Sequence, residues 1–222
     1  MRSLTWLALL APILAAPAHA TLLTDGGFES GALGAGEING NSYGAMPGAG
    51  GARSWDVWEE IGNWKTTRGA GIEVQTRRTV GGADPQAGDY YVEVDSHPRG
   101  GSNSTMAQDV ALGVGSYRLS YWYQPRTKRA GDNGLAVFWD GVEIASHDET
   151  KLTQAGWVQH IADVDVTTAG DHTLAFAARG TANSFGAFVD SVELTTVPVP
   201  GALPLLGAGL VGLAYLRRRA AA

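Results

Sequence analysis

The chain has 222 residues, no cysteine and a formal net charge of −6. Neither disulfides nor thiolate metal sites therefore hold it together, and its acidity argues against nucleic-acid binding, which needs a clustered cationic surface. A hydrophobic fraction of 44% over this length is enough for one domain with a substantial core.

Residues 1–20 open on Arg2, continue through Leu4, Leu7, Leu9, Leu10 and Ile13, and close on Ala18-His19-Ala20. That order predicts a secretory signal peptide, cut after Ala20 by signal peptidase. Without it and the basic end of the tail, the body carries a charge of about −10. Gly and Asn then crowd Gly26 to Gly51, which predicts one short opening strand followed by a long irregular loop.

From Trp55 onward, short β-prone runs alternate with Gly, Asp and Asn. The candidate strands are Ile72 to Gln75, Tyr90 to Asp95, Thr105 to Leu112, Ser116 to Tyr123, Leu135 to Trp139, Val142 to Ser146, Trp157 to Val166, His172 to Ala178 and Ala187 to Leu194. Alternation places Tyr117, Leu119, Tyr121 and Tyr123 on one face, and Arg118, Ser120, Trp122 and Gln124 on the other. Asp140-Gly141 is a two-residue hairpin signal, because both central positions of such a turn require positive φ. Many short strands without helical periodicity predict an all-β, antiparallel β-sandwich of about eight to ten strands over 21–196.

The last stretch, 197–222, begins Val-Pro-Val-Pro-Gly-Ala and ends in a basic run. Ala202 to Leu216 carries no charge, and as a helix it would span about 22 Å, short of a hydrocarbon core of about 30 Å. Arg217, Arg218 and Arg219 predict a cytoplasmic end, with the body beyond the inner membrane. Val197, Pro198, Pro200, the apolar helix and the Arg run together resemble the PEP-CTERM sorting tail of Gram-negative bacteria, with Val199 where the commonest form has Glu. The resemblance implies an exosortase as processing partner, an inner-membrane-anchored precursor, and a final place at the cell surface or in the extracellular matrix. The same segment also reads as a simple membrane anchor.

The body carries Asp25-Gly26-Gly27-Phe28-Glu29, Ile61-Gly62-Asn63-Trp64, Gly71-Ile72-Glu73-Val74-Gln75, Tyr91-Val92-Glu93-Val94-Asp95-Ser96 and Phe188-Val189-Asp190-Ser191-Val192. In that order these resemble galactose-binding-like jelly-roll domains. The resemblance implies a first and last strand lying close together, with a structural Ca2+ bridging them through Asp25, Glu29 and Asp190. Such an ion takes six to eight oxygen ligands, so backbone carbonyls and water would complete the set. The same carboxylates also read as hydrogen-bonded groups at strand ends.

Aromatic rings are natural platforms for sugars, whose C–H faces pack on them while nearby polar groups meet the hydroxyls. Tyr121, Trp122, Tyr123 and Trp139 cluster in the central strands; Trp122 shares its face with Arg118 and Gln124 and is the best candidate for an exposed ring. Asp95-Ser96-His97 and the Gln124 to Arg129 loop do not form a triad, since adjacent side chains diverge. His97, His147, His160 and His172 lack metal-ligand spacing and read as surface or loop residues. Glu73, Glu93 and Asp95 could share a face. Two functions stay open: a non-catalytic exported protein of the surface or matrix, associated with exopolysaccharide or another glycan, and a polysaccharide-active hydrolase using carboxylates on the sandwich face.

Overall fold

The structure, a computed structural model, describes residues 21–30, 55–76, 83–97 and 101–198. The signal peptide, most of the Gly/Asn-rich stretch and the tail beyond Pro198 lie outside them. The strands are β1 (Trp55–Trp58), β2 (Glu60–Ile61), β3 (Trp64–Arg68), β4 (Ile72–Thr76), β5 (Tyr90–Glu93), β6 (Thr105–Leu112), β7 (Gly115–Pro125), β8 (Gly134–Trp139), β9 (Val142–His147), β10 (Val158–Val166), β11 (Gly170–Arg179) and β12 (Ala187–Thr196). They form two antiparallel sheets packed face to face, in the orders β1-β4-β5-β12-β7-β10 and β2-β3-β6-β11-β8-β9.

The alternation of β7 fixes the sandwich. Tyr117, Leu119, Tyr121 and Tyr123 are buried against the second sheet, while Arg118, Ser120 and Trp122 face outward and are half-buried or exposed. Trp64, Phe176, Leu119, Leu135 and Leu174 complete the middle of the core with no exposed surface. Each such aliphatic or Phe side chain contributes about 1.5–3 kcal/mol by leaving water. Asp140 and Gly141, at φ of 49° and 77°, close the β8–β9 hairpin as the sequence predicts.

Among the described residues the twelve strands exceed the predicted number because Trp55 to Arg68, passed over in the sequence, folds into three short ones. Their signal is Gly62-Asn63, a two-residue turn between the paired Ile61 and Trp64, with Gly62 at φ +54°. The predicted opening strand does not form. Positive φ at Asp25 and Phe28 kinks the chain there, and no ladder runs along residues 21–30. They are instead clipped to β12, with the Leu22 amide donating to Leu194 O (2.7 Å) and the Val192 amide to Gly26 O (2.8 Å). A Cβ at Gly26 would stand 1.8 Å from Val192 O, so this approach demands glycine. Across the sandwich, Gln108 of β6 both accepts from the Thr24 amide and donates to its carbonyl.

A register shift in β12 between Asp190 and Glu193, with Ser191 at φ +49°, inserts one extra residue. It keeps Ala187, Val189, Val192 and Leu194 all in the core while Phe188 and Asp190 face outward.

Candidate functional site

Three of the four candidate sugar platforms are not available. Tyr121 and Tyr123 are 0% exposed and Trp139 is 7% exposed, because their alternation class is the one covered by the opposing sheet. Tyr121 packs edge-on against Phe176 at 5.3 Å, and Trp139 stacks on His172 at 5.7 Å. Trp122 alone stays half-buried on the outer face, between Asp190 of β12 and Gln159 of β10.

Of Asp25, Glu29 and Asp190, Glu29 lies near enough to each of the other two to repel it, where residues 21–30 meet β12. Glu29 Oε1 accepts from the Asp89 and Tyr90 amides, at 2.7 and 2.9 Å. Asp190 Oδ2 accepts from the Gln86 and Ala87 amides and its Oδ1 from Ser191. Burial lifts all three carboxyls above their ordinary range; for Asp190, pushed up to about 7, it outweighs those amides and is reinforced by repulsion from Glu29. Asp25 Oδ2 is buried without a hydrogen-bond partner. Carboxylate oxygens suit a hard cation chemically. As a three-carboxylate cage the arrangement does not fit one, because both Asp190 oxygens face N–H donors, and among the described residues no group of three or more His, Cys, Asp or Glu could hold a metal.

The carboxylates of the hydrolase reading do share a face, the outer side of the first sheet, where Glu73 and Glu93 pair across β4 and β5. All three are buried; every oxygen of Glu73 and Glu93 is on a donor, while Asp95 Oδ1 has no partner. Gln75 Nε2 donates to Glu73 Oε1 and Glu93 Oε2, the His97 amide donates to Glu73 Oε2, and the Gly186 amide to Glu93 Oε1. Arg126 closes the network with its guanidinium on both Glu93 oxygens and on Ser184 O. Burial pushes both carboxyls upward, Arg126 opposing it. Asp95 accepts from the Asn183 and Phe185 amides, and the Ser96 hydroxyl donates to Gly71 O. This cluster holds loops in place and offers no carboxylate to a polysaccharide in solvent.

What it holds is a pocket of 470 Å3 at one end of the sandwich, lined by Thr127, Lys128, Arg129, Asp132, Asn183 and Phe185. The β7–β8 loop is shaped by Asn133, which is 0% exposed. Its Oδ1 accepts from the Arg126 and Thr127 amides (2.8 and 2.9 Å), and its Nδ2 donates to the carbonyls of Thr127 and Arg129. Asp132 joins the two loops, accepting from Thr127 Oγ1 at 3.1 Å and Asn183 Nδ2 at 3.0 Å. Phe185 is fixed by its amide on Asp95 and by the Arg126 guanidinium 4.6 Å above its ring. The pocket thus combines an immobilised aromatic ring with donors and acceptors of both kinds. A wider trough of 670 Å3 on the second sheet, lined by Glu60, Lys65, Thr67, Asp109 and Thr173 among others, has no ring. In the sequence the Gln124 to Arg129 loop invited only a nucleophile reading that its residues do not sustain, and Asn183 to Phe185 carried no signal.

No family model and no curated protein matches the chain. Among solved structures, it is similar to TmCBM61 in complex with β-1,4-galactotriose (TM-score 0.48, 17% identity, 80% of this chain and 99% of that one). It is also similar to a native family 35 carbohydrate-binding module from Clostridium thermocellum (TM-score 0.36, 18% identity, 65% and 99%). A third is the K1 cleaved adhesin domain of Lys-gingipain from Porphyromonas gingivalis W83 (TM-score 0.44, 18% identity, 67% and 100%).

Proposed function

We propose that this is a non-catalytic, exported glycan-binding protein of the cell surface or matrix, built on a galactose-binding-like jelly roll and sorted by an exosortase through 197–222. The observation that carries glycan binding is the loop-end pocket, where the fixed Phe185 ring stands beside Asp132, Asn183 and Thr127. A sugar ring laid on Phe185 would place its hydroxyls among those groups, with Lys128 and Arg129 at the rim. The neighbours named for carbohydrate binding are consistent with this reading without assigning a saccharide. The test is a glycan array on the exported protein and its Phe185→Ala variant. Binding that falls at least about tenfold in the variant, while the melting temperature holds, supports the proposal. A blank array, or equal binding by both proteins, overturns it. Trp122→Ala is expected to weaken binding less than Phe185→Ala, since Trp122 does not line this pocket.

Sorting has its own test in mass spectrometry of the exported protein. Cleavage after Ala20 is expected, with the tail either removed or embedded in the membrane; an intact Met1 would refute export. A second reading, a structural Ca2+ resting on Asp25 and Glu29 rather than on all three carboxylates, is favoured by the buried, unpartnered Asp25 Oδ2. Ca2+ at 100 times its Kd would add about 2.7 kcal/mol of stability. Equal melting temperatures in Ca2+ and chelator would dismiss it.

A further inference from the structure

On the side of the sandwich where β9 and β10, edge strands of different sheets, come together, two histidines lie inside the seam. The rings of His147 and His160 are 4.0 Å apart, centroid to centroid. This corrects the sequence reading of both as surface or loop residues: His147 ends β9 facing inward, and His160 pairs with Tyr121 across β10 and β7. Tyr121 stacks on His160 at 5.6 Å and shares a 2.6 Å hydrogen bond with His147 Nε2. Two buried atoms here have no partner, His160 Nε2 and Glu149 Oε2. The titratable and charged groups facing the pair are Tyr121 and Tyr123 from β7, Glu149 with its Oε1 4.0 Å from His147 Nδ1, and Asp148, which acts on Tyr123.

The seam is wired to the pocket. Tyr123 packs on His147 at 5.0 Å and on His160 at 6.0 Å. Its hydroxyl donates to the carbonyls of Asn133 (3.0 Å) and Glu149 (3.5 Å), and Asn133 is the residue that shapes the Thr127 to Asp132 loop. Beyond the histidines, the Lys151 amide donates to Thr127 O at 2.8 Å and the Gly131 amide to Asp148.

We propose that His147 and His160, with Glu149 beside them, form a proton-operated latch that holds the glycan pocket in shape when neutral and loosens it when protonated. The first proton has Glu149 as counter-charge. A second would put two positive rings 4.0 Å apart inside the seam, a repulsion that is relieved by parting β9 from β10. Burial, and for His147 also repulsion from His160, holds both histidines below their ordinary value, His147 down to about 4. An unfolded or opened state therefore binds protons that the closed state refuses, and the closed state loses stability as pH falls from 6.5 toward about 4. The regulatory meaning rests on the pocket being the glycan site; the latch itself does not.

The experiment is amide hydrogen exchange on the exported protein at pH 7 and pH 5, corrected for intrinsic rates and read at Thr127 and Gly131, with no glycan present. Protection is expected to fall about tenfold in the native protein and clearly less in His160→Phe, which keeps a ring there and removes one of the two protons. Equal loss of protection in both proteins overturns the latch. Should the variant fail to fold, the histidine titrations of the native protein by NMR decide: midpoints for His147 and His160 near 6.5 overturn it, and depressed midpoints accompanied by loop loosening support it. Because the exchange readout needs no glycan, a protein with a blank array and a working latch separates the two claims.

Discussion

Two buried polar clusters brace the loop-end pocket from opposite sides, and they are built differently. The Glu73–Gln75–Glu93–Arg126 network has every carboxylate oxygen on a donor. The His147–His160–Glu149 seam leaves His160 Nε2 and Glu149 Oε2 without any. Buried groups that are fully partnered resist change, because any movement exposes an uncompensated charge. Buried groups left short respond to protons, because a new charge finds too little to hold it. One cluster therefore fixes Phe185, and the other leaves the facing loop responsive.

The largest effect that tests this contrast is Arg126→Met. It strips the carboxylate pair of its cation and is expected to cost about 3–5 kcal/mol in urea unfolding near neutral pH. The loss should shrink at pH 5, since both carboxyls are raised by burial and a proton then replaces the guanidinium. A cost under about 1 kcal/mol would mean that the network is not the rigid side. Asn133→Ala comes next. It removes the acceptor of two buried amides and should cost about 2 kcal/mol while lowering protection at Thr127 at every pH. A change confined to acid pH would put Asn133 in the latch rather than in the loop frame.

The smallest and most diagnostic change concerns slope. Asp190, lifted from 3.8 to about 7, is a carboxyl whose folded state keeps a proton that the unfolded state gives up. Its contribution is fully present below pH 3.8 and is lost as pH rises through about 7. That slope opposes the histidine slope across the same window and masks it. Asp190→Asn is expected to steepen the fall in melting temperature from pH 6.5 to 4.5, whatever it does to absolute stability. An unchanged slope would remove Asp190 from the account.

The sheets were legible because period-2 alternation and the Asp140-Gly141 turn are local. Thr105 to Leu112 agrees with β6 end for end, and most other strands agree within a residue or two. The seam between β2 and β3 was equally local in Gly62-Asn63 and was passed over because each strand is short. The site was not legible, for a physical reason. Asp132 and Asn183 lie 51 positions apart, Arg126 and Ser184 lie 58 apart, and nothing in either loop states which other loop the fold will bring to it. The misplaced rings have the complementary reason: alternation says that Tyr121 and Tyr123 share a face, but only the second sheet says that this face is the inside.

The position of β12 has a mechanical consequence. It lies between β5 and β7 in the first sheet, pairs with β7 from Ala187 to Thr196, and continues into a last hydrogen bond from the Val197 amide to Ser116 O. Antiparallel hydrogen bonds run perpendicular to the strand, so tension applied at the tail pulls along β12 and divides among those bonds instead of opening them one at a time. The clip from Leu22 and Gly26 adds attachments on the same strand. A pull applied beyond Thr196 would thus be taken up by the part of the fold best arranged to share it.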